Sequence, residues 1–197
     1  MEISDLQRLR RTIDQLLEID DRNWELIAHN ISYVNLKKGE NWIVEGKKEN
    51  RIGFILDGNM RHYYTRDGEE KTTYFYFADH LVSAYFSALS NAPSKMSIQA
   101  LTDCKLLTFP YSLLTSLFDE SKVWERFGRK LAEYLAIGLE ERMVDLLVLS
   151  PKDRYLQLIQ GNKRKIVEQI PQHYIADYLG VSPVSLSRIR KRIFSQR

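Results

Sequence analysis

The sequence of 197 residues has little cysteine, proline or glycine, and it has no long apolar run. Its one cysteine, Cys104, excludes an internal disulfide framework and a cluster of several thiolate ligands, which favours a reducing compartment. No stretch approaches 18 consecutive apolar residues, and the first twenty residues lack the apolar core of a signal peptide. We therefore expect a cytoplasmic protein that neither crosses nor binds a membrane. The apolar content of 44% is enough for a folded core.

The net charge of +3 is distributed unevenly along the chain. Residues 151–197 carry ten basic and three acidic side chains, a net charge of +7, and Arg197 is one of the ten. Residues 1–150 carry nineteen basic and twenty-three acidic side chains, a net charge of −4. An acidic body with a basic end is expected when that end binds a polyanion, although a solvated basic tail would give the same count.

The N-terminal two thirds predict helices around a β-rich region. Apolar spacing predicts a helix over 3–18, begun by a capping box of Ser4 and Gln7, and a second helix over 21–29. Seven short β-rich runs follow, with Asp57-Gly58 and Asp67-Gly68 as hairpin turns. The runs are 31–36, 42–44, 52–56, 60–65, 71–77, 97–101 and 105–109. We predict an α+β fold whose β-part is a small barrel or jelly-roll-like sandwich, a β-roll.

A short helix over 111–118 and a long helix over 121–149 are predicted next. The long helix would have apolar residues on two sides, whereas a helix that packs on one domain needs only one apolar stripe. The stripes are Leu131, Leu135, Leu139, Leu146 and Leu149, and Tyr134, Ile137, Val144 and Val148. We expect the second stripe to bind the same helix of another subunit, which makes 121–149 a homodimer helix. Burial of the helix inside a monomer is the alternative.

A domain boundary is predicted at Ser150-Pro151, where the charge changes sign. Ser150 can cap a new helix, Pro151 suits its first position, and Asp153 completes an acidic capping box. The predicted domains are 1–120 (the β-roll with its flanking helices), 121–149 (the dimer helix) and 150–197. The last domain would contain a helix over 151–159, a basic turn over 161–165, and two short helices.

Those two short helices, QHYIADYLGVSPVSLSRIRK (172–191), fit a helix-turn-helix pattern. Gly180 lies at the turn, where glycine adopts a left-handed conformation at little cost, and Ser182 can cap the second helix. Leu186 and Ile189 would face inward and leave a polar outer face for the major groove of DNA. The predicted DNA-binding residues are His173, Ser182, Val184, Ser185, Ser187, Arg188, Lys191 and Arg192. A helical hairpin with a structural role alone is the alternative.

The sequence resembles the Crp/Fnr family of bacterial transcription regulators over nearly its full length. LKKGENWIVEGKKENRIGFILDGNMRHYYTRDGEEK (36–71) is similar to the family's β-roll, and IQALTDCKLLTFP (98–110) to the strand pair that leaves it. IADYLGVSPVSLSRIRK is similar to its DNA-binding helices. The resemblance implies a cyclic-nucleotide-binding-type β-roll, a dimerisation helix, a helix-turn-helix domain that binds double-stranded DNA, and RNA polymerase as a partner.

The sequence departs from the family where a nucleotide would bind. Family members that bind cyclic nucleotides carry Gly-Glu before a short helix and Arg-Ser after it, and these positions are Ser83-Ala84 and Ser94-Lys95 here. The ribose-binding carboxylate and the planar phosphate-binding cation are both missing, so we expect no required cofactor and no cyclic AMP binding. One cysteine also excludes an iron–sulfur cluster of Fnr type.

An aromatic pocket for an unidentified apolar effector stays open as a second interpretation of this region. The aromatic residues between 63 and 86 are numerous, and most are expected in the roll core or in cross-strand pairs. The residues assigned to this effector pocket are Tyr74, Tyr76, Ser83, Ala84, Tyr85, Ser94 and Lys95.

The second short helix also differs from the family pattern. Its first residues read Pro183-Val184-Ser185 where many members have Arg-Glu-Thr, so the familiar operator sequence is not expected. The sequence ends at Arg197 without an evident β-wing. We therefore expect phosphate contacts from residues 163–165, Arg190, Lys191 and Arg192.

Two other classes of function compete with a DNA-binding regulator. A sensor of a small molecule or cyclic nucleotide could act through protein contacts and use its C-terminal helices structurally. An enzyme would need metal-ligand clusters or a nucleophile motif, but the four histidines are scattered and no Gly-x-Ser-x-Gly or P-loop sequence occurs. We therefore predict that the protein is not an enzyme.

Overall fold

The computed structural model describes residues 2–161 and 163–195 and has an α+β fold. In chain order, two helices precede eight strands, one short helix lies between the sixth and seventh strands, and six further helices follow. The helices are α1 (Ile3–Asp14), α2 (Asp21–Ala28), α3 (Tyr85–Ser90), α4 (Tyr111–Glu120), α5 (Lys122–Val148), α6 (Pro151–Gln160), α7 (Arg164–Gln169), α8 (Gln172–Tyr178) and α9 (Pro183–Phe194). The strands are β1 (Ser32–Leu36), β2 (Asn41–Ile43), β3 (Arg51–Asp57), β4 (Met60–Arg66), β5 (Glu69–Tyr76), β6 (Leu81–Ser83), β7 (Ser97–Ala100) and β8 (Cys104–Pro110).

The strands form two four-stranded antiparallel sheets that face each other as a β-roll. One sheet has the order β1-β8-β3-β6 and the other the order β2-β7-β4-β5. The roll interior holds a buried cluster that includes Trp42, Ile55 and Leu106. Gly53 is needed there because a Cβ atom at its position would come within 2.8 Å of the Trp42 ring. The predicted β-roll is confirmed.

A second core lies on the outer face of the first sheet. Phe54 and Leu107 of this sheet pack against α1, α2, α4 and the start of α5, and Trp124 and Phe127 are the buried residues that α5 contributes. Strand β3 is therefore buried on both faces, which explains its nearly continuous apolar sequence IGFIL. This second core fixes the first two turns of α5 on the roll.

Several helix starts agree with their predicted capping residues, and one does not. The Ser150 hydroxyl accepts from the Asp153 amide, and the Ser182 hydroxyl accepts from the Ser185 amide, with proline at the first helical position in each case. The capping box at Ser4 is wrong, because α1 begins at Ile3 after Glu2 and no side chain caps it. The helix also ends at Asp14, four residues before the predicted position.

The structure contains three elements that the sequence pattern did not predict. Strand β6, helix α3 and helix α7 are each only three to six residues long. Short elements show too few turns or alternations for a periodicity to emerge. Helix α7 begins at Arg164, so the predicted basic turn over 161–165 runs into a helix.

Candidate functional site

Helices α8 and α9 form a helix-turn-helix with a well-buried inner face. Ile175, Ala176 and Leu186 are buried between the helices. Gly180 has a φ of +69° at the turn, and its amide donates to the Asp177 carbonyl at 2.9 Å. The Val181 amide donates to the Ala176 carbonyl at 2.9 Å, so the end of α8 is closed by backbone hydrogen bonds. Local backbone hydrogen bonds therefore fix the turn between the two helices.

The outer face of α9 presents most of the predicted DNA-binding residues to solvent. Ser185 is half-buried, because its hydroxyl bonds to that of Ser182 at 3.0 Å. The others are exposed, namely His173, Ser182, Val184, Ser187, Arg188, Lys191 and Arg192. Among the described residues, no carboxylate forms a salt bridge with the three basic ones. This face can therefore meet phosphates and base edges with its positive charge uncompensated.

The other basic residues assigned to phosphate contacts differ in their exposure and in their ion pairing. Lys163 and Lys165 are exposed, whereas Arg164 pairs with Glu168 at 2.7 Å. Arg190 is half-buried, and its Nε atom is fully buried without a hydrogen-bond partner. Arg197 lies outside the described residues. The uncompensated charge is therefore concentrated on α9 and at the start of α7.

The helical domain packs directly on the β-roll through β5 and the residue that follows it. Phe75 and Phe77 are buried in the same apolar cluster as Tyr155, Ile175 and Tyr178 of the helical domain. The Phe75 and Tyr178 rings lie 5.4 Å apart. Most aromatic residues of this region are predicted to lie in the roll core or in cross-strand pairs, but Phe75 and Phe77 lie on the outer face of the second sheet, where alternation along the strand places them.

Polar contacts reinforce this interface between the roll and α8. The Asp177 carboxylate accepts a hydrogen bond from the Thr72 amide of β5. The guanidinium of Arg61 lies between two aromatic rings, 4.1 Å from the Tyr63 centroid in the roll and 4.2 Å from the Tyr174 centroid in α8. Arg61 also donates to Gln99 and to Glu70, so this buried cation is fully paired. A stacked guanidinium of this kind joins two domains with a defined geometry.

Two further arginines join α5 to the helical domain. Arg142 of α5 lies 3.7 Å from the Tyr178 ring centroid and donates to the Tyr178 carbonyl, and burial lowers the pKa of its guanidinium. Arg154 of α6 is buried and donates to the carbonyls of Asp145, Leu146 and Leu149 at the end of α5. It also donates to the Leu179 carbonyl at 2.9 Å. The orientation of α9 is thus tied to α5 and to the roll.

The sequence pattern does not predict the three arginines that join the helical domain to the roll and to α5. Arg61, Arg142 and Arg154 carry no local motif, because the partners through which they join other elements lie between 5 and more than 100 positions away in sequence. The one usable signal was the run YFYF at 74–77, whose aromatic residues occupy both faces of one strand. Such a strand requires apolar partners on each side.

Most of the second half of α5 is not covered by the other described residues, although Arg142 is half-buried against Tyr178. Every residue from 132 to 141 is exposed, and Leu139 and Leu147 expose 71% and 77% of their surface. Other large apolar side chains on this part of the helix, Tyr134, Ile137, Met143 and Val148, are more than half exposed. The alternative in which the helix is buried inside a monomer does not hold. A contiguous apolar helix face of this kind is typical of a protein interface.

The position of the nucleotide cassette is filled by apolar and neutral groups. Ala84 and Met96 are buried in the roll interior, and the buried Ser94 hydroxyl donates to the Met96 carbonyl at 2.8 Å. Lys95 is exposed, with its ammonium 4.8 Å from the Phe86 ring centroid. The described cassette segment, residues 83–96, supplies neither a carboxylate for a ribose nor a buried cation for a cyclic phosphate. The donor set here does not fit a cyclic nucleotide.

A separate apolar cavity of about 150 Å³ lies between the first sheet and helices α1, α2, α4 and α5. Of the seven residues assigned to an effector pocket, it is lined by Tyr76, Ser83 and Tyr85. Tyr74 does not line the cavity. It is exposed, and its ring contacts that of Tyr76 edge-on at 5.0 Å between centroids. Ala84 and Ser94 are buried outside this cavity, and Lys95 is exposed. The residues assigned to the effector pocket therefore do not form one pocket.

The histidines and carboxylates of the described residues form no metal-binding group of three or more. Burial lowers the pKa of His62 to about 4 and also lowers that of His80, so both imidazoles are neutral at pH 7. Cys104 is buried, and burial raises the pKa of its thiol. Within the part of the chain that the structure describes, no helix is long and apolar enough to cross a bilayer.

Comparison with known proteins identifies the domain and the fold. Residues 33–121 match the family model of the cyclic nucleotide-binding domain. A comparison with curated proteins found no match. Among solved structures, FixK2 from Bradyrhizobium japonicum is 17% identical, with a TM-score of 0.69 and coverage of 84% of this chain and 85% of that chain.

Two other solved structures extend the comparison. The catabolite activator protein of Thermus thermophilus is 18% identical, with a TM-score of 0.57 and coverage of 94% and 87%. A protein from Eubacterium rectale assigned to the Crp/Fnr family of transcriptional regulators is 16% identical, with a TM-score of 0.67 and coverage of 90% and 85%. The chain thus has the fold of the Crp/Fnr-like regulators, as the sequence resemblance predicted, and residues 33–121 are similar to the cyclic nucleotide-binding domain.

Proposed function

We propose that the protein is a sequence-specific, DNA-binding transcription regulator of Crp/Fnr type that acts as a homodimer. The observation that carries the proposal is the outer face of α9, where Arg188, Lys191 and Arg192 are exposed above a buried inner face. An anchored helix with a free basic face can enter the major groove of DNA. The net charge of +7 on residues 151–197 supports phosphate contacts by the same domain.

The dimer is proposed to form through the exposed half of α5. Two copies of this apolar face would cover each other in a two-fold arrangement, as in coiled-coil packing. The two copies of α9 would then read a two-fold related DNA site with half-sites about one helical turn apart. RNA polymerase as a partner and activity in the cytoplasm belong to this proposal.

Gel-shift titration on DNA from the protein's own promoter region tests the proposal. We expect binding that weakens steeply with salt, since cations are released from the phosphates. Arg188→Ala should lower specific affinity by about 1–3 kcal/mol and relax sequence preference. Lys122→Ala is the matched control, because it removes one exposed positive charge at the far end of α5. Equal affinity for unrelated DNA, or an equal loss in both variants, would contradict the proposal.

A small-molecule sensor that acts through protein contacts is the second candidate. The cavity of about 150 Å³ is the observation that favours it. This candidate predicts tight ligand binding by a protein that shows no DNA affinity at any salt concentration. Calorimetry with ligands and gel shifts on the same sample therefore separate the two functions.

A further inference from the structure

We infer that the cavity between the first sheet and helix α5 is a binding site for a small, uncharged, single-ring aromatic or short aliphatic molecule. Its volume of about 150 Å³ sets the size of the occupant. An engineered cavity of about 150 Å³ in another protein stays dry and binds benzene. Drug-sized ligands and nucleotides need pockets of roughly 300–1,000 Å³. The occupant is therefore much smaller than a nucleotide.

The walls of the cavity define the chemistry of the occupant. Aliphatic and aromatic side chains from both cores line it, among them Ile52, Phe109, Leu114 and Trp124. Among the described lining residues there is no Asp, Glu, Lys, Arg or His side chain. A charged ligand would lose its hydration here without gaining a counter-ion, which excludes anions such as phosphates and carboxylates.

Four residues of the cavity lining carry neutral hydroxyl groups. Tyr76, Ser83, Tyr85 and Tyr111 contribute to the lining, and the rings of Tyr85 and Tyr111 meet edge-on at 6.2 Å between centroids. Burial raises the pKa of both Tyr76 and Tyr111, so these phenols keep their protons near neutral pH. A ligand with one hydroxyl or carbonyl group could exchange a hydrogen bond with one of these hydroxyl groups. Phenol-like molecules therefore fit the site better than pure hydrocarbons.

Helix α5 forms part of the cavity wall. Gly128, Leu131 and Leu135 line it, and a Cβ atom at Gly128 would come within 2.7 Å of the Phe118 ring. Leu135 is also partly exposed next to Tyr134, on the apolar face proposed to form the dimer. An occupant that displaces Leu131 or Leu135 would therefore move side chains that lie next to the proposed dimer face, and could in this way act as an effector. This effector role rests on the proposed function, whereas the binding site itself does not.

Titration with benzene and phenol, followed by methyl NMR and thermal unfolding, tests the site without DNA. We expect saturable binding, methyl shifts confined to residues that line the cavity, among them Ile52, Leu114 and Leu131, and a melting temperature that rises with ligand concentration. Leu131→Phe fills the cavity and should weaken binding by at least about tenfold. Leu139→Phe is the matched control on an exposed position of the same helix and should bind normally.

Leu114→Ala provides an independent check if Leu131→Phe folds poorly. The larger cavity should accept indole, which the wild-type protein should bind more weakly than phenol. The inference is overturned if benzene and phenol do not saturate, if the methyl shifts lie elsewhere, or if a folded Leu131→Phe variant binds as tightly as wild type. Gel shifts on ligand-free protein test DNA binding separately, so either idea can fail alone.

Discussion

Replacing Arg154 by methionine removes a buried cation that joins three helices. Its Nη1 group donates to the carbonyls of Leu149 at 2.8 Å and Leu146 at 3.1 Å, and makes a longer contact to Asp145 at 3.4 Å. Its Nη2 group donates to the Leu179 carbonyl at the end of α8. A positive charge at the C-terminal ends of two helices is also favoured by their dipoles. Methionine preserves the length and the apolar stem of the side chain but none of these interactions.

The expected loss of unfolding free energy is about 3 kcal/mol. Each hydrogen bond from a charged donor contributes roughly 1.5–3 kcal/mol, but bonds from one guanidinium are not additive. Removing the buried charge also returns part of its desolvation cost, and its Nε atom has no partner to lose. For a chain of this size, the loss corresponds to a decrease of roughly 6–12 °C in melting temperature. Arg154→Lys keeps the charge but not the planar fork, so we expect about half the loss.

Urea unfolding at pH 7 and at one fixed protein concentration measures this effect, since dimerisation would otherwise shift the midpoint. Lys152→Met is the control, because Lys152 is an exposed residue of the same helix. The orientation of α9 depends on the same contacts, so DNA affinity should fall more for Arg154→Met than its unfolded fraction explains. A loss below about 0.5 kcal/mol, or an equal loss in Lys152→Met, would refute the reasoning.

Two further predictions concern pH and assembly. Because the pKa of His62 is about 4 in the folded state, against about 6.5 when unfolded, stability falls as the pH decreases through this range. We expect the free energy of unfolding in urea titrations to be about 2 kcal/mol lower at pH 5 than at pH 7. His62→Gln should remove most of that difference. An equally steep dependence of stability on pH in His62→Gln would contradict this prediction. Leu147→Glu places a charge on the exposed face of α5 and should convert the dimer to a monomer in sedimentation velocity, whereas Leu26→Glu, at a partly exposed position of α2, should not. A Leu147→Glu variant that sediments as wild type would exclude this face as the interface.

The candidate DNA-binding face could be predicted because its determinants are local. Gly180, Ser182 and Pro183 lie within four positions, and each acts on the backbone near it. The inner and outer faces of α9 then follow from helical periodicity. The exposure of Arg188 agrees with this pattern, and only the half-buried Ser185 and Arg190 deviate from an open surface.

The cavity and the cassette region could not be predicted in the same way. Aromatic density and the resemblance to a nucleotide cassette assign Tyr76, Ser83 and Lys95 to one effector pocket. The fold places the first two at a cavity and leaves Lys95 exposed. A cavity forms where side chains from distant elements fail to fill the space between them, and pairwise distances of that kind are not encoded in a local pattern.

Local sequence signals predict the longer elements in their order, the β-roll, the long helix and the helix-turn-helix, since each depends on periodicity, turn residues or capping within a few positions. Only the tertiary structure decided how the helical domain lies on the roll. Phe75 and Phe77 became interface residues because β5 presents its outer face to α8, and Arg61 and Arg154 became joints because their partners come from other elements. Long-range contacts of this kind depend on the closure of loops that no local sequence signal specifies.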